Sequence, residues 1–337
     1  MPKQRILTGM RPTGSLHLGH YAGALENWVR LQDEYECFFL IADYQALSDH
    51  LGEIERIRES VTEVTLDWLA VGLDPQRSAF VIQSYIPEHA ELTMLLSMLV
   101  PLNRHQRNPT LKAEMAQLEE EHAELSLGFF NYPASQIADI ILPKAHVVPV
   151  GEDQVPHIEY TRQIARRFNR AYGNVFPIPR ALIGRVPRLV GIDGKAKMSK
   201  SLDNAINLAD DAGTVERKVK RMVTDITGTH PRLRPTDPGV VEYNPVFEYH
   251  DAFNPDAAEV ADLKERYRAG RVSDSEVKER LIKALNDFLD PIRERRAAYA
   301  ARPDDVRAAL LDGTERARRT AEQTMQEVRE AMRIIYT

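Results

Sequence analysis

The sequence predicts an α/β protein: a parallel β-sheet with helices on its faces, followed by a smaller, all-helical domain. Strand-length apolar runs alternate with amphipathic stretches up to about residue 190, and strand-like runs disappear after about residue 205. Repeated strand–helix–strand order is typical of parallel strands joined by helical crossovers. A chain of 337 residues is also long for a single core, which indicates two domains.

The strand-length runs are RILTGM at 5–10, CFFLIAD at 37–43, SAFVIQS at 78–84 and VVPVG at 147–151. Helical spacing of apolar residues lies between and after them, at 20–35, 53–73 and 157–173. Because ligands of such sheets bind at the carboxyl ends of the strands, we expect the functional residues to follow the strands.

The second part of the chain has helical spacing and charged outer faces. Its predicted helices cover 212–223, 262–270, 273–301 and 303–335. Ser273 and Glu276 fit a capping box at the start of the third of these helices. We therefore predict an α/β domain at 1–205 and a helical domain at 206–337, with the alternative that the last helix packs back on the α/β half.

Composition and charge limit the kinds of partner. The formal net charge of −6 argues against a general nucleic-acid coat, so we expect no DNA partner and a local patch for any polyanion. The single cysteine, Cys37, excludes an internal disulfide, and its apolar neighbours indicate a buried strand position. Neither a signal peptide nor a membrane-length apolar run is visible, which favours a cytoplasmic protein with no membrane partner.

The stretch TGMRPTGSLHLGHYAGAL at 8–25 overlaps the end of the first predicted strand and continues beyond it. Its glycines and Pro12 form a turn whose backbone can approach a ligand, and the helix that begins at 18–21 offers its amino end to an anion. His17 and His20 are three residues apart and therefore share one face of the first turn. Imidazoles there can donate to nucleotide phosphates. A surface pair or a partial metal site is the alternative, but no third ligand is near and we expect no bound metal.

The stretch GIDGKAKMSKSLDN at 191–204 combines glycine, serine and lysine. Such a segment buries little and is expected on the surface as a mobile loop. On spacing alone, its lysines are as compatible with solvated cations as with ligand-binding groups.

HLGH resembles the HIGH signature of class I aminoacyl-tRNA synthetases, and KMSKS at 197–201 matches the second signature of that class. Each motif is short, but both in one chain, in this order, form a specific combination. The resemblance implies a Rossmann-like catalytic domain that carries HLGH and ends in the KMSKS loop, and a helical domain that binds the tRNA anticodon. It also implies that the loop closes over ATP and that Lys197 and Lys200 contact its phosphates.

The chemistry of that class fits these residue types. A substrate carboxylate attacks the α-phosphate of ATP and pyrophosphate leaves, so the task of the protein is positioning and charge stabilisation. Glycine and serine allow the loop to move, and lysine supplies a flexible point charge.

A third region indicates the amino acid substrate. VPVGEDQ at 148–154, the HIE, TR and RRFN that follow it, and AVGLDP at 70–75 resemble bacterial tryptophanyl-tRNA synthetases. The order of segments agrees over nearly the whole chain. The resemblance implies an enzyme that activates L-tryptophan with ATP and Mg²⁺, transfers it to tRNA(Trp) and acts as a homodimer.

The resemblance implies roles for individual residues. Asp139 would accept a hydrogen bond from the indole N–H, Tyr132 and Gln154 would hold the substrate ammonium group, and Lys112 would reach the phosphates. The implied catalytic residues are His17, His20, Lys112, Lys197 and Lys200. The implied ATP-binding residues are Arg11, Thr13, Gly19, His20, Gly151, Asp153, Lys197, Met198, Ser199 and Lys200, with Gly151 and Asp153 at the ribose. The implied substrate-binding residues are Leu7, Gln45, Tyr132, Gln136, Asp139, Val148, Val150 and Gln154.

Asp139 lies close in sequence to Ile137, Ile140 and Ile141. Burying an unpaired acid among them would cost free energy, so we expect Asp139 to have a hydrogen-bonding partner. An acid that caps or solvates a helix is the alternative.

Some positions depart from the commonest pattern: Gln136 stands where many bacterial members of the family carry methionine, Gln45 where many carry histidine and Arg11 where some carry glutamine. Tyr132, Gln136 and Asp139 form YxxxQxxD, a spacing also found in tyrosyl-tRNA synthetases. Since a carboxylate accepts from an indole N–H or a phenol O–H alike, tyrosine remains the alternative substrate. GEDQ and the helix after it favour tryptophan.

Two other classes of protein stay open. One is a synthetase-like paralogue that keeps the fold and serves a binding or regulatory role. The other is a small nucleotidyltransferase with an HxGH motif, which the long helical second part and KMSKS disfavour.

Overall fold

A computed structural model of the protein describes residues 3–50, 52–120, 125–151, 154–183, 189–195, 198, 202–227, 232 and 234–336. None of the helices in these ranges has the length and hydropathy needed to cross a lipid bilayer.

The central element is a parallel five-stranded sheet in the order β3-β2-β1-β4-β5. Its strands are β1 Arg5–Met10, β2 Glu36–Ile41, β3 Ser78–Ile82, β4 Val147–Val150 and β5 Arg180–Ile183. The predicted α/β fold with a parallel sheet is therefore confirmed, while the sequence analysis missed β5. Since the chain winds outward from β1 in both directions, the strand order reverses between β1 and β4, where such sheets bind ligands.

The described helices connect these strands and build the rest of the chain. They are α1 Leu18–His20, α2 Glu26–Glu34, α3 Asp43–Asp49, α4 Ile54–Val71, α5 Pro87–Ser97, α6 Leu102–His105, α7 Pro109–Glu120, α8 Leu127–Ile141, α9 Val155–Tyr172, α10 Ala212–Lys220, α11 Pro245–Phe253, α12 Ala257–Arg268, α13 Asp274–Ala300 and α14 Pro303–Met332. A π-helical turn spans Tyr21–Leu25 and a 3₁₀ turn spans Gln83–Tyr85. Each helix that the sequence predicts has a counterpart here.

Cys37 occupies the buried strand position that the sequence predicts. It lies in β2, pairs in register with Ile6 of β1 and Ser78 of β3, and is 1% exposed. Burial raises the pKa of its thiol to about 12. The side chain therefore stays protonated near neutral pH and acts as a small apolar group.

The chain forms two compact units. The first comprises Met1–Gly14, Asn27–Gly184 and Arg302–Thr337, and the second comprises Ser15–Glu26 and Arg185–Ala301. These units differ from a linear division at residue 205, because the HLGH segment pairs with the segment after KMSKS: Leu18 N donates to Ile206 O (2.9 Å) and Leu208 N to Leu16 O (2.9 Å). The anticodon-binding role of 206–337 stays a prediction.

The last helix, α14, belongs to the first unit, which was the stated alternative for this helix. It packs along β3, the edge strand of the sheet. A Cβ atom on Gly313 would lie 2.4 Å from Phe80 O, so only glycine permits this approach. The Thr314 hydroxyl accepts from Ile82 N (3.0 Å) and donates to Leu310 O (2.7 Å). The helix thus covers the strand edge and supplies an acceptor for one of its amides.

The start of α13 departs in part from the predicted capping box. Ser273 Oγ accepts from Glu276 N (3.1 Å), as predicted. The Glu276 carboxylate, however, accepts from Arg266 Nη2 (2.8 Å). An ion pair across the α12–α13 turn takes the place of the reciprocal capping bond.

Replacing Thr314 tests how much the α14–β3 contact stabilises the first unit. We expect Thr314→Val to lower the free energy of unfolding by about 1–3 kcal/mol, because the Ile82 amide would be buried without its acceptor. Urea unfolding followed by circular dichroism measures this change. Thr324→Val is the matched control, since that buried hydroxyl donates to Thr320 O of its own helix (3.0 Å). An equal loss in both variants would contradict the assignment.

Candidate active site

Asp139 is the centre of a buried hydrogen-bonded cluster in the first unit. Its side chain on α8 is 4% exposed. Gln83 Nε2 lies 2.7 Å from Oδ1, His89 Nε2 lies 2.9 Å from Oδ1 and Gln45 Nε2 lies 3.1 Å from Oδ2. These donors are the partners that the sequence analysis expects for an acid buried at this position, and they make Asp139 an anchored hydrogen-bond acceptor.

The donors come from elements that follow two neighbouring strands. Gln45 lies on α3, after β2, and Gln83 directly follows β3. The carboxyl ends of parallel strands meet at one edge of the sheet, so these side chains converge. Sequence analysis proposed Gln45 but missed Gln83 and His89. The available signal was the position of Gln83 immediately after a predicted strand.

Asp43 organises the same edge. Its carboxylate accepts from Ser84 N (2.9 Å), Ser84 Oγ and Tyr44 N (3.1 Å). Burial raises the pKa of Asp43, and these hydrogen bonds partly oppose that effect. Because Tyr44 N also donates to Gln83 Oε1 (3.1 Å), the backbone orients the Gln83 amide with its NH₂ toward Asp139.

Tyr132 and Gln136 lie on α8 at spacings that place them on the side of the helix that carries Asp139. Tyr132 is a half-buried side chain whose ring centroid is 6.0 Å from that of His157. Burial raises the pKa of Tyr132 and the neighbouring Glu114 carboxylate raises it further, while Arg11 lowers it. The hydroxyl is therefore a protonated donor and acceptor at neutral pH.

The apolar substrate residues proposed from the sequence lie on the neighbouring strands β1 and β4. Leu7 on β1 is 7% exposed and Val148 on β4 is 4% exposed, and both belong to the main core cluster. Val150 ends β4 and is partly buried. Thr8 Oγ1 donates to Pro149 O (3.3 Å), which ties β1 to β4 beside these side chains.

The turn after β4 and the start of α7 carry further predicted residues. Gln154 N donates to Gly151 O (3.0 Å), and Gln154 leads into α9. Lys112 is exposed in the first turn of α7. Asn108 caps this helix, since its Oδ1 accepts from Thr110 N (3.0 Å). Asp153 lies outside the described residues.

The turn after β1 carries Arg11 and Thr13. Thr13 N donates to Arg11 O (3.0 Å), and Gly14 has a φ of 114°. This left-handed conformation requires glycine where the chain leaves β1. It accounts for one of the glycines that the sequence analysis assigned to the turn.

In the second unit, the two histidines of HLGH form a compact pair. His20 N donates to His17 Nδ1 (3.3 Å) and His17 N donates to His20 Nδ1 (3.2 Å). Their rings stack with centroids 3.7 Å apart, which agrees with the predicted shared face. The amino end of the helix that the sequence predicts here is partly occupied: Leu18 N donates to Ile206 O (2.9 Å) and His20 N to His17 Nδ1 (3.3 Å), and α1 continues through the π-helical turn into α2.

Met198 of KMSKS lies against Gly19 of HLGH. A Cβ atom on Gly19 would be 3.2 Å from Met198 Sδ and 3.0 Å from the His17 ring. Met198 itself is 4% exposed. The two motifs, far apart in sequence, therefore meet in the second unit. Lys197, Ser199 and Lys200 lie outside the described residues.

The segment that leads to KMSKS is tied to the segment that follows it. Ile192 N donates to Asn204 O (2.8 Å), and Asn204 Nδ2 donates to Asp193 Oδ1 (3.0 Å). A Cβ atom on Gly191 would lie 2.2 Å from Asn204 Nδ2, and Gly194 has a φ of 67°. The described ends of the predicted mobile loop thus form a hydrogen-bonded base.

Comparison with known proteins agrees with this arrangement. The family model "tRNA synthetases class I (W and Y)" matches residues 2–290. A curated tryptophan--tRNA ligase of Treponema pallidum is 53% identical over 330 residues, which cover 97% of this chain and 96% of that protein. The corresponding ligase of Chlamydia caviae is 48% identical over 336 residues, covering 98% and 96%.

A solved structure extends the likeness to three dimensions. The crystal structure of tryptophanyl-tRNA synthetase from Campylobacter jejuni, complexed with ADP and tryptophan, has a TM-score of 0.85 at 32% identity and covers 98% of this chain and 99% of that chain. The chain therefore belongs to the class I aminoacyl-tRNA synthetases. Within that class it falls in the family for tryptophan and tyrosine, among the bacterial tryptophanyl-tRNA synthetases.

The His89–Asp139 pair predicts a pH-dependent stability. Burial lowers the pKa of His89, but the charge and hydrogen bond of Asp139 outweigh this effect, and the pKa is raised above 6.5. Such a histidine stabilises the folded protein below pH 6.5, and the stabilisation is lost as pH rises through the folded pKa. We expect the unfolding free energy of wild type relative to His89→Gln to decrease as pH rises above 6.5, measured by urea titration.

His250 supplies a matched control of opposite sign. It is fully buried on α11, and burial lowers its pKa from 6.5. Its contribution is present above pH 6.5 and is lost as pH falls through the folded pKa. Wild type relative to His250→Gln should therefore gain stability as pH rises, and pH slopes of the same sign for the two variants would contradict these assignments.

Proposed function

We propose that the protein activates L-tryptophan with ATP to form tryptophanyl-adenylate and pyrophosphate, and then transfers the tryptophanyl group to tRNA(Trp). The observation that carries this proposal is the buried, triply hydrogen-bonded Asp139 in a chain that is 53% identical to a tryptophan--tRNA ligase. The names of the aligned relatives favour tryptophan over the tyrosine alternative. They also disfavour a paralogue without enzymatic activity.

Selection of the amino acid depends on Asp139 and its surroundings. Asp139 accepts the hydrogen bond of the indole N–H, while Tyr132 and Gln154 hold the ammonium group. The apolar residues Leu7, Val148 and Val150 form the side walls of the pocket. Gln45 and Gln136 are the remaining substrate-binding residues. Support comes from the burial of Leu7 on β1 and Val148 on β4 and from the anchored carboxylate of Asp139.

Activation is an in-line displacement at phosphorus. A carboxylate oxygen of tryptophan bonds to the α-phosphorus, the bond from that phosphorus to the bridging oxygen breaks, and pyrophosphate leaves with the electron pair. His17, His20, Lys112, Lys197 and Lys200 stabilise the developing charge. The remaining ATP contacts are Arg11, Thr13, Gly19, Gly151, Asp153, Met198 and Ser199. Mg²⁺ enters with ATP as part of the nucleotide substrate.

We further propose a cytoplasmic homodimer in which residues 206–337 contribute the tRNA anticodon contact. Support for the dimer comes from exposed apolar side chains after the end of α5 and on α6 and α8; hydrogen bonds from Ser97 and His105 join the first two of these helices to α8. Met98, Leu102 and Leu127 there are 66%, 63% and 80% exposed. Exposed apolar side chains that adjoin one another are typical of protein–protein contacts.

Amino-acid-dependent ATP–pyrophosphate exchange tests the proposed function directly. Tryptophan, tyrosine and phenylalanine are assayed in parallel with the purified protein, and no tRNA is needed. Exchange with tryptophan alone is the expected result. Exchange with tyrosine would mean that YxxxQxxD decides the substrate, and no exchange would mean that the signatures persist without their chemistry.

Lys200 tests the role of the KMSKS loop. We expect Lys200→Ala to slow activation by about 10²–10³-fold, equivalent to about 3–4 kcal/mol, by analogy with removing one preorganised donor to a transition-state anion. The loss should appear mainly in kcat for activation, which is measured from the rate of adenylate formation in the pre-steady state. Lys195→Ala is the control, because Lys195 is an exposed lysine of the same stretch. An unchanged rate in Lys200→Ala would exclude the assigned role.

Asp139 tests the pocket. Asn in its place presents an NH₂ group to side chains that already donate, so one acceptor position is lost. We expect Asp139→Asn to reduce the preference for tryptophan over phenylalanine by about 10- to 100-fold in kcat/KM. Asp67→Asn is the control, since Asp67 is fully buried on α4 of the same unit. Retained selectivity in Asp139→Asn would count against the pocket assignment.

A further inference from the structure

The two oxygens of the Asp139 carboxylate are used unequally. Oδ1 accepts from Gln83 Nε2 at 2.7 Å and from His89 Nε2 at 2.9 Å, whereas Oδ2 accepts from Gln45 Nε2 at 3.1 Å. A carboxylate oxygen accepts about two hydrogen bonds in its plane. The described donors therefore fill Oδ1 and leave one acceptor position on Oδ2.

His89 donates to Asp139 through Nε2. This nitrogen lies 2.9 Å from Asp139 Oδ1 and 3.1 Å from Ser135 O, and both of these atoms are acceptors. A ring nitrogen that faces acceptors carries the proton, so the contact to Asp139 is a donated hydrogen bond. With the side chains 5% and 4% exposed, little water can compete for the same position.

The charged and aromatic groups around His89 come from two elements, α8 and α3. Asp139 on α8 makes the direct contact, and Asp43 at the start of α3 adds a second negative charge nearby. The Tyr44 ring lies with its centroid 6.1 Å from that of His89. His89 itself lies on α5, and α5 packs against α8. This packing holds the imidazole of His89 beside Asp139.

Gln83 is held at both ends of its amide. Its Oε1 accepts from Tyr44 N (3.1 Å), and its Nε2 donates to Asp139 Oδ1 (2.7 Å). The side chain is 1% exposed. Reversing the amide would place NH₂ against a backbone N–H, so the backbone determines which end faces Asp139.

We propose that Gln83 and His89 are positioning residues for amino-acid selection: they occupy Oδ1 of Asp139, fix the carboxylate plane and direct the one open position of Oδ2 to the ring N–H of the substrate. This inference rests on the proposed tryptophan site. It assigns selectivity to residues that touch the acid and not the substrate. A bound amino acid whose side chain has no N–H or O–H donor leaves the open position of Asp139 Oδ2 unfilled, which costs binding free energy.

A tryptophan analogue in which sulfur replaces the ring N–H, 3-(benzothiophen-3-yl)alanine, provides the test. We expect His89→Leu to lower kcat/KM for tryptophan about tenfold in ATP–pyrophosphate exchange, mainly through a higher KM. The same substitution should change kcat/KM for the sulfur analogue by less than about twofold. Gln83→Met, which keeps the side-chain length without the donor, should do the same. His89→Gln should recover much of the loss, because its amide NH₂ can reach Oδ1.

The variants also distinguish a role in positioning the Asp139 carboxylate from a general distortion of the pocket. Equal losses for tryptophan and the sulfur analogue in both His89→Leu and Gln83→Met would overturn the inference, since a distorted pocket affects both substrates. His250→Leu, at a buried histidine of the second unit, should leave the ratio of kcat/KM for tryptophan to kcat/KM for the sulfur analogue unchanged, even if it lowers thermal stability. Absence of tryptophan-dependent exchange in the wild type would instead overturn the proposed function itself.

Discussion

The buried carboxylate of Asp139 is the constraint that the candidate pocket depends on. An ionisable acid among isoleucines of a core helix is costly unless donors surround it. The donors come from α3, from the turn after β3 and from α5, so the acid can be buried only where these elements converge. Two of them follow β2 and β3, which places the cluster at the carboxyl edge of the sheet.

The same edge gains rigidity from contacts that do not reach the acid. Asp43 accepts from the backbone of Tyr44 and Ser84, and Tyr44 in turn orients the Gln83 amide. The bonds from Ser84 N to Asp43 and from Tyr44 N to Gln83 join the end of β2 to the end of β3. A selective acceptor needs such support, because an error of about 1 Å in its position is large on the scale of a hydrogen bond.

In the second unit, close packing brings the two signatures together. Gly19 leaves room for the His17 ring and for the Met198 sulfur, and the stacked histidines satisfy each other's amides. The lysines of KMSKS flank a buried methionine. Met198 therefore acts as a packing anchor within a segment whose composition predicts a mobile loop.

Sequence reasoning predicted long, strongly periodic elements well and short or tertiary features less well. The long helices α4, α9 and α13 match their predicted ranges closely, because amphipathic periodicity is a local signal. The short edge strand β5 was missed, since RALI has no alternation to distinguish it. One half of the predicted capping box at α13 is confirmed: Ser273 caps the helix, whereas the Glu276 carboxylate accepts from Arg266.

The sequence by itself determined the fold class, the two signatures and the identity of the buried acid, because these depend on local pattern and residue type. Only the tertiary structure decided which side chains hold that acid, since its donors Gln45 and Gln83 are 94 and 56 residues away along the chain. It likewise decided that α14 covers the edge of β3 and that HLGH packs with KMSKS. Hydrogen bonds between residues so far apart in sequence depend on how the whole chain folds, so the local periodicity of the sequence cannot predict them.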